Sequence, residues 1–206
     1  MGSEYLPQTN FFSIEIFFFI QQAERISFAD IQGKVDIPTK NICHVIEYLL
    51  INTGFLGNGA RNNALFAAHR HGPLKRIIVT QAHADHYGAL PDQMEDGTQV
   101  IVGSGFGETV DYFERLAPFL GRRSGKLWAS MTRRDGPPPK PPVIVPDVEV
   151  ATSLAFAQGG RAFEVVKTPG GESLDSVFVW MPQEKTVFTG NHTNTETRLS
   201  PPGVLT

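Results

Sequence analysis

The sequence predicts an α/β fold, and three observations carry that prediction. Strand-like and helix-like runs alternate through the first half, metal-type side chains cluster at the end of one such strand, and short apolar strands joined by turns fill the second half. The 206 residues suffice for one sizeable core, and 41% apolar with 19% charged residues is an ordinary globular balance, so a single domain over residues 1–206 is expected. A net charge of −3 gives no global attraction to nucleic acid or to anionic lipid, and neither is an expected partner.

Taken in order, residues 11–20 form an aromatic, apolar run that includes Glu15 and is about half the roughly 20 residues a membrane-spanning helix needs. A buried strand is expected there. With no basic residue before it and no small-residue cleavage site behind it, the run does not read as a signal peptide, and a cytoplasmic protein without a membrane segment is expected. Residues 42–51 read as a strand carrying His44 as a core residue and Cys43, the single cysteine, as a small buried one. Residues 62–70 are compatible with a helix, near whose end His69 and His71 would meet the favourable end of the dipole. Ile77, Ile78, Val79 and Thr80 are all β-branched and predict a buried parallel strand. Residues 100–102 read as a further strand, and 108–120 as a helix with Val110, Phe113, Leu116 and Leu120 near one face, distorted or ended by Pro118. The Pro-rich segment 136–146 predicts an extended connector between the two halves of the domain. Residues 163–166, 177–180 and 186–188 read as strands, with Pro182 and Gln183 marking a turn.

The chemistry concentrates after the strand at 77–80. Side chains two apart in an extended segment point the same way, so Gln81 and His83 can face one point, while Asp85 and His86 turn toward a second. Imidazole and carboxylate are zinc ligands, and a catalytic zinc needs only three from the protein plus a water. Between residues 115 and 140 stand seven basic residues, Arg115, Arg122, Arg123, Lys126, Arg133, Arg134 and Lys140, against Asp135 alone. They suit sulfate, phosphate or carboxylate oxygens. Leu127, Trp128 and Met131 interleave apolar surface fitting an amphipathic anion, although the same charges also serve plain solubility.

Gln81 to His86 resembles the His-x-His-x-Asp-His signature of the metallo-β-lactamase fold, with Gln81 at the first His. Asn52, Thr53 and Gly54 resemble that family's Asp-Thr-Gly turn, Thr168, Pro169 and Gly170 its Thr-Pro-Gly loop, and Thr189, Gly190 and Asn191 its Thr-Gly-Asp strand end. The resemblance implies an αββα sandwich, C-terminally short because only fifteen residues follow Asn191. Glu172 in a Thr-Pro-Gly-x-Glu loop is similar to the alkylsulfatase branch, where that glutamate ligates zinc, whereas Gly190 stands where the branch has another glutamate. The resemblance therefore implies one zinc ion on His83, Asp85, His86 and Glu172, with Gln81, Asn191 and His192 as further candidates and Asp85 as either ligand or catalytic base. The implied activity is hydrolysis of a small, ester-like anionic substrate, a sulfate ester most specifically. The alternative is a non-catalytic binding protein on the same scaffold. A short second half would also leave apolar sheet surface for residues 11–20 or a second copy in a homodimer to cover.

Overall fold

The computed structural model describes residues 48–57, 59–67, 70, 72–132, 140–168, 170 and 172–192. The expectations for residues 11–20, Cys43, His44, His69 and His71 lie outside them, as does the chain beyond His192.

Four parallel strands form the first sheet in the order β1 (Tyr48–Ile51), β2 (Leu74–Ile78), β3 (Gln99–Gly103) and β4 (Val148–Val150). Helices α1 (Gly59–Ala67), the short α2 (Ala84–Tyr87) and α3 (Leu90–Gln93), and α4 (Phe106–Thr132) supply the crossovers. The continuous apolar character of these strands follows from burial on both faces. On one face Tyr48, Leu50, Ile77, Val100 and Val102 pack with Phe66, Tyr87, Leu90 and Phe106 from the helices. On the other, Leu49, Ile51, Ile78 and Ile101 meet Phe163, Val165, Val179 and Met181 of the second sheet. Each such side chain, removed from water, contributes about 1.5–3 kcal/mol.

The second sheet is an antiparallel meander of β5 (Ser153–Gln158), β6 (Arg161–Lys167), β7 (Val177–Met181) and β8 (Thr186–Phe188). Gly159 and Gly160, at φ +59° and +73°, close the β5–β6 hairpin with two residues in the left-handed region, which only a pair such as Gly-Gly adopts without strain. By strand register Val166, Phe178, Trp180 and Val187 lie on the face away from the first sheet, and Val187 is exposed. Helices, parallel sheet and antiparallel sheet are three layers of the αββα sandwich, and this apolar outer face is where the fourth belongs.

Two expectations need correction. Pro118 does not end α4, which continues to Thr132. Pro118 and Glu114 both lie on an exposed stretch of the helix, so water can satisfy the carbonyl that the missing N–H leaves free. The Pro-rich connector leads from α4 to β4, the last strand of the first sheet, so it lies within the first half, and the chain crosses between sheets at Ala151 and Thr152. Strands β4 and β5 went unpredicted; β5 alternates through Ala155 and Ala157, poor strand formers that mask its period.

Candidate metal centre

The site is assembled at the carboxyl ends of β1 and β2, where open α/β sheets bind ligands. After β1 the chain turns sharply, with Asn52 at φ +57° and Gly54 at +84°. This turn grips α2: the Thr53 N–H donates to the His86 carbonyl at 2.7 Å, and the Ala89 N–H to the Gly54 carbonyl at 3.0 Å. After β2, Val79 remains tied to β3 through its N–H to the Ile101 carbonyl at 2.9 Å, which delivers Thr80 and Gln81 fully buried at the strand end.

The Gln81 side chain is the focus. Its Nε2 lies 2.8 Å from His83 Nδ1, 2.9 Å from Glu172 Oε2 and 3.3 Å from His86 Nε2. His83 Nδ1 and Glu172 Oε2 are 3.6 Å apart, as are His86 Nε2 and Asp85 Oδ2. Gln81 and His83 thus face one point as expected, and Asp85 with His86 forms an adjoining pair. The His83 ring packs edge-on against Phe113 of α4, with centroids 4.7 Å apart. Asn191 hydrogen-bonds to Glu172. His192 ends the 3₁₀ turn Gly190–His192, and its side chain lies outside the described residues. Arg115, Arg122, Arg123 and Lys126 are exposed on α4, a helix rather than a loop, and Lys140 pairs with Glu114 at 3.4 Å.

Burial dominates at His86 and lowers its pKa, outweighing the opposite pull of Asp85, so the imidazole is neutral near pH 7. At Glu172 burial acts to raise the pKa, but hydrogen bonds from Gln81 and Asn191, with His83 and His86 nearby, hold the carboxyl below its ordinary value. Burial, with Glu114 and Asp175, pushes Tyr87 up to about 12.

Three features escaped the sequence reading. Thr80 Oγ1 contacts His86 Nδ1 at 3.0 Å, and Asn52 wraps Thr80 from the other side. Asp175 is fully buried with both carboxylate oxygens unpartnered; a carboxylate in the Ser-Leu-Asp-Ser run just before an apolar strand was the available signal. Gly190, at φ +56°, has Thr80 Oγ1 only 2.7 Å from where a Cβ would stand, so a side chain there would strain the backbone and displace the Thr80 hydroxyl.

Do these groups suit a metal ion? Among the described residues no group of three His, Cys, Asp or Glu side chains is placed to hold a metal ion; the ligand-type atoms form two pairs, with the Gln81 amide shared between them. Zinc holds nitrogen and oxygen at about 2.0–2.2 Å, so two ligands on one ion lie at most about 4.4 Å apart, and a spacing of 3.6 Å satisfies this. Gln81 Oε1 is buried without a hydrogen-bond partner among the described residues. Rotating the amide by half a turn would bring that oxygen, a permissible ligand, to the position now held by the nitrogen. Each pair thus has the spacing of two ligands on one ion, while among the described residues no third His, Cys, Asp or Glu joins either pair to complete a site.

The profile of the metallo-β-lactamase superfamily matches residues 47–203. Among solved structures, a double mutant of the sec-alkylsulfatase PisA1 matches at 20% identity and a TM-score of 0.58, covering 70% of this chain and 26% of that one. The stereoselective inverting sec-alkylsulfatase Pisa1 from Pseudomonas sp. matches at 19% identity and 0.54, covering 66% and 25%. A metallo-beta-lactamase from Pontibacter korlensis matches at 24% and 0.47, covering 69% and 54%. The chain thus spans about a quarter of the alkylsulfatase chains and about half of the lactamase, and at their identities the likeness to the two alkylsulfatase structures bears on the fold alone. Among curated proteins none matches. No helix among the described residues is long and apolar enough to cross a membrane.

Proposed function

The chain belongs to the metallo-β-lactamase superfamily, and from that premise we propose that it is a metal-dependent hydrolase of a small, ester-like anionic substrate, a sulfate ester most specifically, working with one zinc ion. Members of the superfamily typically bind metal ions. The observation that carries the reading is the convergence of His83 Nδ1, His86 Nε2 and Glu172 Oε2 on the single Gln81 amide nitrogen. These three residues would hold the ion, with the Gln81 oxygen as a weak neutral addition that leaves a second ion unsupported. When bound, the ion supplies Lewis acidity toward water and the ester oxygen.

The remaining chemistry is done by this chain's own groups. Asp85, 38% exposed and beside His86, takes the proton from the attacking water. Neutral His86 and charged Glu172 present a lone pair and a negative charge, the forms that ligation needs. The exposed cations Arg115, Arg122, Arg123 and Lys126 on α4 draw an anion toward the face where Phe113 packs on His83. No nucleic-acid or membrane partner enters this reading.

Metal analysis of the purified chain and assays against sulfate, phosphate, lactone and β-lactam substrates test it. One zinc per chain with sulfatase turnover is expected. Two well-occupied ions about 3.5–4 Å apart would refute the mononuclear assignment, and hydrolysis of only the other classes would refute the sulfate ester. Gln81→His should raise metal stoichiometry by restoring an imidazole. A second reading, a non-catalytic binding protein on the same scaffold, is favoured by the Gln81 nitrogen standing at the point of convergence; absence of bound zinc decides for it.

A further inference from the structure

We infer that Asn52 and Thr80 are positioning residues that fix His86 as the tautomer protonated on Nδ1, with the Nε2 lone pair directed at Gln81. The argument is a count of hydrogens. The Thr80 backbone N–H lies 2.9 Å from Asn52 Oδ1, and because an N–H can only donate, the Asn52 amide orientation is settled. Asn52 Nδ2 then donates to Thr80 Oγ1 at 3.0 Å. That hydroxyl has one proton and two lone pairs, and it faces two further atoms: Asn52 Oδ1 at 3.1 Å and His86 Nδ1 at 3.0 Å.

With the proton on His86 Nδ1, every contact of the Thr80 hydroxyl and the Asn52 amide is made. The imidazole donates to Thr80 Oγ1, Thr80 donates to Asn52 Oδ1, and Asn52 Nδ2 fills the remaining lone pair. With the proton on Nε2, the hydroxyl must turn to Nδ1, leaving Thr80 Oγ1 and Asn52 Oδ1 as two acceptors 3.1 Å apart. The Nε2 proton would also meet the Gln81 amino group at 3.3 Å. In the metal-free chain Gln81 does not turn to relieve this, because its Nε2 donates to the Glu172 carboxylate, which only accepts. Asp85 Oδ2, at 3.6 Å, is too far to rescue that arrangement with a hydrogen bond. Buried groups left unpaired cost about 1–3 kcal/mol each, so the first tautomer prevails. Thr53 completes the clamp by holding the His86 carbonyl through its N–H and its hydroxyl, at 2.7 and 3.3 Å.

The tautomer stands on the hydrogen bonds alone; its consequence for zinc rests on the proposed function. Long-range 1H–15N correlation spectra of the full-length, chelator-treated chain, labelled at histidine, read the tautomer directly, and titration with zinc alone reads the affinity. His86 protonated on Nδ1 is expected. Thr80→Val should release the ring into a mixture of tautomers and lower zinc affinity by about 10–100-fold, the usual effect of losing a ligand's hydrogen-bond partner. Thr80→Ser, which keeps the hydroxyl, should restore both. A wild-type His86 protonated on Nε2, or a Thr80→Val spectrum identical to wild type, would overturn the inference. Should Thr80→Val fail to fold, the wild-type spectrum still decides. A confirmed tautomer in a chain that binds no zinc would sink the proposed function and leave this inference intact.

Discussion

The two sides of the site are built by different means. Gln81 and His86 stand on a strand end and a short helix, buried and held by the Asn52 turn, by Thr80 and by backbone hydrogen bonds to the first sheet. Glu172 stands on the loop before β7, 44% exposed, with Gly170 at φ +91° two residues earlier. The buried side fixes geometry and protonation form, and the loop side supplies the negative charge. Stability and metal affinity should therefore separate: substitutions on the first side disturb both, and on the second chiefly affinity.

The largest effect is expected where the two sides touch. A Cβ on Gly103 would stand 1.8 Å from the Asp175 backbone oxygen, so Gly103→Ala forces strand β3 and the loop before β7 apart. A loss of about 3 kcal/mol is expected in denaturant unfolding, and a change under about 0.5 kcal/mol, the range of an ordinary surface substitution, would show that the loop moves freely over the sheet. Acidification should act on the buried side next. His86 has its pKa lowered below 6.5, so the unfolded chain takes up its proton first as pH drops. Stability is fully present above pH 6.5 and declines below it, by at most about 1.4 kcal/mol per pH unit from this group. A His86→Gln variant with an unchanged slope between pH 6.5 and 5 would break that assignment. The smallest effect on stability is expected at Glu172→Gln, under about 0.5 kcal/mol as for other exposed positions. Its zinc affinity should nevertheless fall about 100-fold or more, since even a ligand's hydrogen-bond partners are worth 10–100-fold. Unchanged zinc binding by calorimetry would remove Glu172 from the site.

How far the sequence was legible follows the same division. Residues 77–80 and 100–102 announced their strands because burial on both faces leaves an unbroken apolar run. The spacing of Gln81, His83, Asp85 and His86 announced the pairing of Gln81 with His83 and of Asp85 with His86 because it is local. Glu172, 91 positions from Gln81, was reached only through family resemblance. Thr80 was read as one more β-branched strand residue; its role depends on Asn52, 28 positions away, and the pairing of β1 with β2 that joins them has no local signature. Pro118 misled because its penalty depends on whether water reaches the carbonyl it leaves free, which is a property of the surface.

Gly190 bears on how such a site can change over generations. Its left-handed backbone, and the Thr80 hydroxyl 2.7 Å from its missing Cβ, mean that a carboxylate installed there strains the backbone and pushes on Thr80. Removing the Thr80 hydroxyl would make room, and removing it abandons the hold on His86. The two positions are therefore coupled: a side chain at Gly190 and the Thr80 hydroxyl that holds His86 compete for the same space, so one can change without cost only if the other changes with it.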